Sequence, residues 1–129
     1  MYKVTLLLSL LFLCTPAGAH DSVFYCVYQT NECVESSDPI PIENAEINRI
    51  LGDVVAGASN FIGFVDRHGT TIQFYVDQPG DIWVEIPSPE NKGSFGKRIS
   101  NNDMMLLVKK LEAPYWMYKG TLKLKFTKW

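Results

Sequence analysis

Residues 70–87 read TTIQFYVDQPGDIWVEIP. Ile72, Phe74 and Val76 alternate with Thr71, Gln73 and Tyr75; after Gln78-Pro79-Gly80-Asp81, Ile82, Val84 and Ile86 alternate with Trp83 and Glu85. A period of two puts successive side chains on opposite sides of a strand, so each run is a strand with one apolar face. The Pro-Gly segment between them is a turn, and so short a connection joins antiparallel neighbours, because parallel strands need a long crossover. Upstream, Asn60–Asp66 (NFIGFVD) and the turn Arg67-His68-Gly69-Thr70 supply a third strand. Downstream, beyond a Pro-containing loop over 88–92, Ser94–Ile99 supplies a fourth. The centre of the chain is a meander.

Two helices flank it. Ile47, Ile50, Leu51, Val54, Val55 and Ala58 fall at offsets of three and four, the spacing of one helix face. Glu43 and Glu46 stand near its start, where carboxylates suit the helix dipole, and Gly57 or Asn60 can end it. Ser100 with Asp103 three residues on is a capping pair for a second helix. Its stripe is Met104, Leu107, Val108 and Leu111, with Lys109 and Lys110 in the last turn before Pro114. Beyond a Lys119-Gly120 turn, the alternating run Leu122-Lys123-Leu124-Lys125-Phe126 predicts a final strand with one basic face. The order predicts an α+β fold, an antiparallel meander sheet with two helices packed on one face.

The N-terminus stands apart. Lys3 is followed by an apolar run, Val4–Cys14, then by Pro16 and the small-x-small pattern Ala17-Gly18-Ala19. That is a secretory signal peptide with cleavage expected after Ala19. A membrane anchor would need roughly 20 apolar residues, about twice this run. The expected division is 1–19 signal peptide, 20–41 an arm holding an edge strand and a linker, and 42–129 one α+β domain, secreted or periplasmic with no stable membrane anchor. Cys14 leaves with the signal, so Cys26 and Cys33 remain to form one disulfide in an oxidising compartment. A loop that short stabilises by about 2–3 kcal/mol in a chain-entropy account.

With 129 residues, 47% hydrophobic and 20% charged, the chain has room for one domain and is neither disordered nor collagen-like. A formal net charge of -2 argues against a nucleic-acid partner, but it hides a split. Residues 20–91 hold 12 acidic and 2 basic side chains, net -10; residues 92–129 hold 2 acidic and 9 basic, net +7. If these segments lie on opposite sides, they give a dipole able to steer a charged partner. The Lys119, Lys123, Lys125 and Lys128 row either meets nucleic acid, phospholipid or an acidic protein, or shields a sheet edge from aggregation.

The polar faces of the two central strands are the candidate recognition surface. Gln73 and Tyr75 on one strand and Trp83 and Glu85 on the next combine rigid aromatic area with hydrogen-bonding groups. Lys123 and Lys125 join them as partner-binding candidates. The competing expectation is that the C-terminal strand, the N-terminal arm or a helix covers this face. No catalytic, metal or cofactor motif is found: G-x-S-x-G, H-E-x-x-H, a P-loop and G-x-G-x-x-G are all missing. His68 beside Asp66 sits in a turn with no further ligands at suitable spacing, and Gly93–Arg98 lacks the long glycine-rich turn of a phosphate loop.

The pieces NFIGFVD, TTIQFYVD and DIWVEIP, followed by Lys-Gly-Ser-Phe-Gly-Lys at 92–97 and a closing helix, resemble small bacterial immunity proteins of polymorphic toxin systems. The resemblance covers roughly a third of the chain and implies a compact α+β protein that neutralises a toxin by binding it. With the signal peptide, it implies an exported member. The expected function is therefore that of a small exported binding protein, an immunity protein or inhibitor that occludes a toxin or enzyme, and not an enzyme itself. The alternatives are a small secreted hydrolase and a carbohydrate-binding module that stacks sugars on Trp83 and Tyr75.

Overall fold

The computed structural model describes residues 22–129. The expected signal peptide and His20 lie outside them. The elements run β1 (Ser22–Val27), β2 (Glu32–Val34), β3 (Ile40–Pro41), α1 (Asn44–Val55), β4 (Phe61–Val65), β5 (Thr71–Gln78), β6 (Asp81–Ser88), β7 (Gly93–Ile99), α2 (Asn101–Lys109), α3 (Tyr118–Thr121) and β8 (Lys125–Lys128). The strands form one open antiparallel sheet in the order β2-β1-β4-β5-β6-β7-β8, and β3 pairs with β1 on the same side as β2. Among the described residues no helix is long and apolar enough to cross a membrane.

The alternation in β5 and β6 decides which side is the core. Phe74 pairs with Val84 and Val76 with Ile82, while Gln73 pairs with Glu85 and Tyr75 with Trp83. The apolar set is fully buried, with Ile62 and Phe64 of β4 and Val23, Tyr25 and Val27 of β1 on the same side. Ile50, Leu51 and Val54 of α1, Met104 of α2 and Tyr115 complete this core, so the helices pack on one face of the sheet. Gly69 and Gly80 take φ of 82° and 90° in the two hairpin turns, a region that side chains with a Cβ rarely enter. The Ser100 hydroxyl accepts the Asp103 N–H at 3.1 Å, the cap expected for α2.

Two expectations are corrected. Within the expected arm 20–41, the described residues 22–41 are not an edge strand followed by a linker. β1 is an inner strand, paired with β4 over Ser22–Cys26 and with β2 and β3 on its other side. Both faces of β1 are covered, since Phe24 and Cys26 are buried as well as Val23, Tyr25 and Val27, and a strand covered on both faces shows no alternation. Residues 122–124 are also not in the last strand. The chain turns through α3, Lys123 adopts φ of 54°, and β8 starts at Lys125. Leu124 packs against the core from that turn, so the alternation from 122 to 126 came from a turn followed by a strand.

Cys26 and Cys33 face each other across β1 and β2 as a disulfide pair. On the core side of the same hairpin, the Tyr25 hydroxyl donates to Glu32 at 2.5 Å. Arg49 of α1 reaches Glu32 at 2.9 Å and also pairs with Glu46 and Asp53. Burial, and then the Glu32 hydrogen bond, push the Tyr25 phenol up to about 12. The Arg49 hydrogen bond, and then that from Tyr25, hold the Glu32 carboxyl below its ordinary value of 4.5. A carboxyl depressed by folding stabilises above its unfolded pKa and loses that contribution as pH falls through the folded one. The urea midpoint of the wild-type protein should therefore drop faster below pH 4.5 than that of Glu32→Gln. Parallel profiles would mean that this network contributes nothing, as exposed pairs often do.

Candidate functional site

The sheet face opposite the helices carries the four central candidates, and no helix among the described residues lies across it. Strand register arranges its side chains in rows. One row runs Cys26, Phe61, Tyr75, Trp83, Arg98 from β1 to β7, and the next runs Phe24, Gly63, Gln73, Glu85, Gly96, Lys125 from β1 to β8. The first is an aromatic stripe ending in a guanidinium. The second is a polar pair flanked by two glycines.

The glycines explain how the rings are held. A Cβ at Gly63 would overlap the Phe24 ring, and one at Gly96 would overlap the Trp83 ring. Each ring thus lies over a strand position without a side chain, as aromatic residues do when they fill the gap left by a sheet glycine. Phe24 also contacts Phe61, with ring centroids 6.2 Å apart. The Arg98 guanidinium stands over Trp83 at 5.9 Å, within cation–π range. Arg98 is fixed in turn by Asp81 at 2.8 Å and Asp77 at 3.5 Å. Asp77 is the extra residue of a bulge where the β5–β6 register shifts between Val76 and Gln78.

Glu85 is the polar centre. It accepts from Gln73 Nε2 at 2.6 Å, from Trp83 Nε1 at 3.0 Å and from Ser94 Oγ at 3.1 Å. Three donors on two carboxylate oxygens lock Gln73 and Trp83 in place, so the face is ordered before any partner arrives. Tyr75 is 41% exposed, and its hydroxyl reaches Ser59 Oγ at 3.4 Å. With the Trp83 ring bonded at its nitrogen, resting on Gly96 and attended by Arg98, Tyr75 offers the more open of the two rings.

Gln73, Tyr75, Trp83 and Glu85 therefore come together. Lys125 continues the polar row two strands beyond Glu85, but Lys123 stands in the turn before β8 and is not on the sheet. The four lysines do not make one row: Lys119 is in α3, and Lys125 and Lys128 fall on opposite faces of β8. Phe24, Phe61, Ser94 and Arg98 are site residues that the sequence reading did not single out. The missing signal was strand register, because alternation gives faces but not which residues stand opposite each other.

Charge divides across the sheet. The acidic segment supplies β1 to β6 and the basic one β7 and β8, so the two ends have opposite sign, bridged by Arg98 with Asp77 and Asp81. On the other side of the molecule, a cleft of about 440 Å³ lies between α1 and the end of α2, over Val23, Phe64 and Tyr115. Asp66 accepts its bond from the backbone N–H of His68 at 2.9 Å, so that link is not made through the imidazole. Among the described residues no group of three His, Cys, Asp or Glu side chains is placed to hold a metal.

No family model, curated protein or solved structure matches the chain.

Proposed function

We propose that the protein is an exported binding protein that neutralises a toxin or enzyme by covering it with the bare face of its sheet, in the manner of an immunity protein or inhibitor. The observation that carries this reading is the ordered stripe Phe61–Tyr75–Trp83–Arg98 on a sheet face that no described helix covers. Tyr, Trp and Arg are the side chains that supply most interface energy, and pre-ordering lowers the entropy lost on docking. The charged groups around the stripe, Asp77, Asp81 and Lys125, supply a polar rim. Export is supported by the leader sequence and by a cysteine pair at disulfide distance, which suits an oxidising compartment. The partner is a protein; neither nucleic acid nor a bound cofactor is invoked.

The test is growth protection. Full-length protein is co-expressed with the exported product of a neighbouring gene, and binding of the purified pair is measured. Wild type should protect. Tyr75→Ala/Trp83→Ala, with its circular dichroism unchanged, should lose protection and bind at least about 100-fold more weakly. Full protection by the double variant, or no protection by the wild type, would refute the proposal.

A further inference from the structure

The sheet ends on β8, and that edge departs from a protected one. Protected edges are short, charged and free of large apolar side chains. β8 is short and carries Lys125 and Lys128, but Phe126 is 44% exposed and Trp129, next after the strand, 70% exposed. Among the described residues β8 has a strand partner on one side alone, β7. The Trp129 N–H reaches the Lys92 carbonyl at 2.9 Å, on the β7 side. By the two-residue alternation of an antiparallel ladder, the N–H and C=O groups of Phe126 and Lys128 point the other way, to the open edge. No ion pair to Lys123, Lys125 or Lys128 is found among the described residues.

We infer that β8 takes up an extended acidic segment of a protein partner as a ninth, antiparallel strand. Charge selects this occupant. A second copy paired antiparallel through β8 would gather Lys125 and Lys128 of both copies along one seam, and that concentration of like charge is unfavourable. An acidic guest reverses that sign, and the basic end of the molecule draws it in. A nucleic-acid strand would meet the lysines but has no groups to match the outward peptide N–H and C=O of Phe126 and Lys128. Register fixes the guest's pattern. Residues facing Lys128 and Lys125 are acidic and three apart, and the residue facing Phe126, one before the second acid, is apolar, which gives acidic–x–apolar–acidic. Phe126 is backed by Phe95 at 5.1 Å, so the guest's apolar side chain finds a platform already in place. The site shares Lys125 with the rim of the sheet face but uses neither Tyr75 nor Trp83, so it does not depend on the stripe.

The probe is a capped eight-residue peptide with that pattern at its centre, titrated into the intact protein by fluorescence and followed by amide hydrogen exchange. The peptide should bind, and exchange at the Phe126 and Lys128 amides should slow. Lys125→Glu/Lys128→Glu should weaken it by at least about tenfold, and so should Lys128→Pro, which removes one outward N–H. Tyr75→Ala should leave it unchanged, so failure here and failure of the sheet-face reading can be told apart. Equal binding of a basic peptide, stronger binding of single-stranded DNA of matched charge, slowed exchange elsewhere but not at Phe126 and Lys128, or concentration-dependent dimerisation through β8 would each overturn the inference.

Discussion

Replacing Asp66 with alanine is expected to cost about 4 kcal/mol and to lower the melting temperature by about 15 °C. The side chain is 5% exposed and its carboxylate serves three backbone donors. Oδ1 accepts from His68 N at 2.9 Å and Thr70 N at 3.0 Å, closing the β4–β5 turn. Oδ2 accepts from Tyr115 N at 2.8 Å, 49 residues further along the chain. Hydrogen bonds to a charged acceptor contribute about 1.5–3 kcal/mol each, and losing all three at once is less than additive. The variant also removes the acceptor of a buried N–H, because Tyr115 is fully enclosed in the core. Asp66→Asn separates the two halves of this effect. Its amide oxygen can still close the turn, but its NH₂ then faces the Tyr115 N–H, so the expected loss is about half that of alanine. Urea unfolding of the three proteins checks this, and an alanine variant within about 1 kcal/mol of wild type would refute it.

Asn60→Ala is expected to cost about 3 kcal/mol. Asn60 is fully buried and joins three segments. Its Oδ1 accepts the Tyr28 N–H at 2.9 Å, just past β1. Its Nδ2 donates to Gln29 Oε1 at 2.8 Å and lies 3.2 and 3.3 Å from the Val54 and Asp53 carbonyls at the end of α1. Those carbonyls otherwise accept the long last-turn bonds from Ala56 and Gly57 N–H at 3.3 and 3.4 Å, and Asp53 also one from Gln29 Nε2 at 2.8 Å, so the amide shares in capping α1 from outside. Asn60→Asp makes the point sharper. A carboxylate can accept from Tyr28 but cannot donate to carbonyls, and it brings a negative charge to the negative end of the helix. It should therefore be no more stable at neutral pH than the alanine variant, although it is closer in shape. Hydrogen exchange in the last turn of α1 should accelerate in both; an Asp variant as stable as wild type would mean that the cap is unimportant.

The residues that alternate were the ones whose placement could be read without coordinates. Ile72, Phe74 and Val76, with Ile82, Val84 and Ile86, gave the meander and its buried side, and Gln73, Tyr75, Trp83 and Glu85 fell together on the other. The α1 stripe was equally readable, because spacing of three and four has one structural meaning. Asn60 and Asp66 were not, since both stand where polar residues commonly mark turns, and their importance lies in partners far along the chain. The inner place of β1 is hidden for a related reason: Phe24 is buried on the outer face by resting on Gly63, a contact across strands that no local pattern announces. The Leu122–Phe126 run reads as strand through Lys123 because a leucine–lysine alternation looks the same whether the leucine faces a sheet or a turn.

The position of β1 has a consequence for how the chain assembles. β4, β5, β6 and β7 pair each with its successor, so that module closes through short loops and can form quickly. β1 must wait. Synthesis proceeds from the N-terminus, so β1 appears first, yet its inner partner β4 follows only after β2, β3 and α1 have been made. Until then, an apolar strand built to be covered on both faces has only the short Cys26–Cys33 hairpin for company. Of the strands, the nascent chain thus leaves residues 23–27 uncovered longest, and a holding factor that shields them would be of most use during that interval.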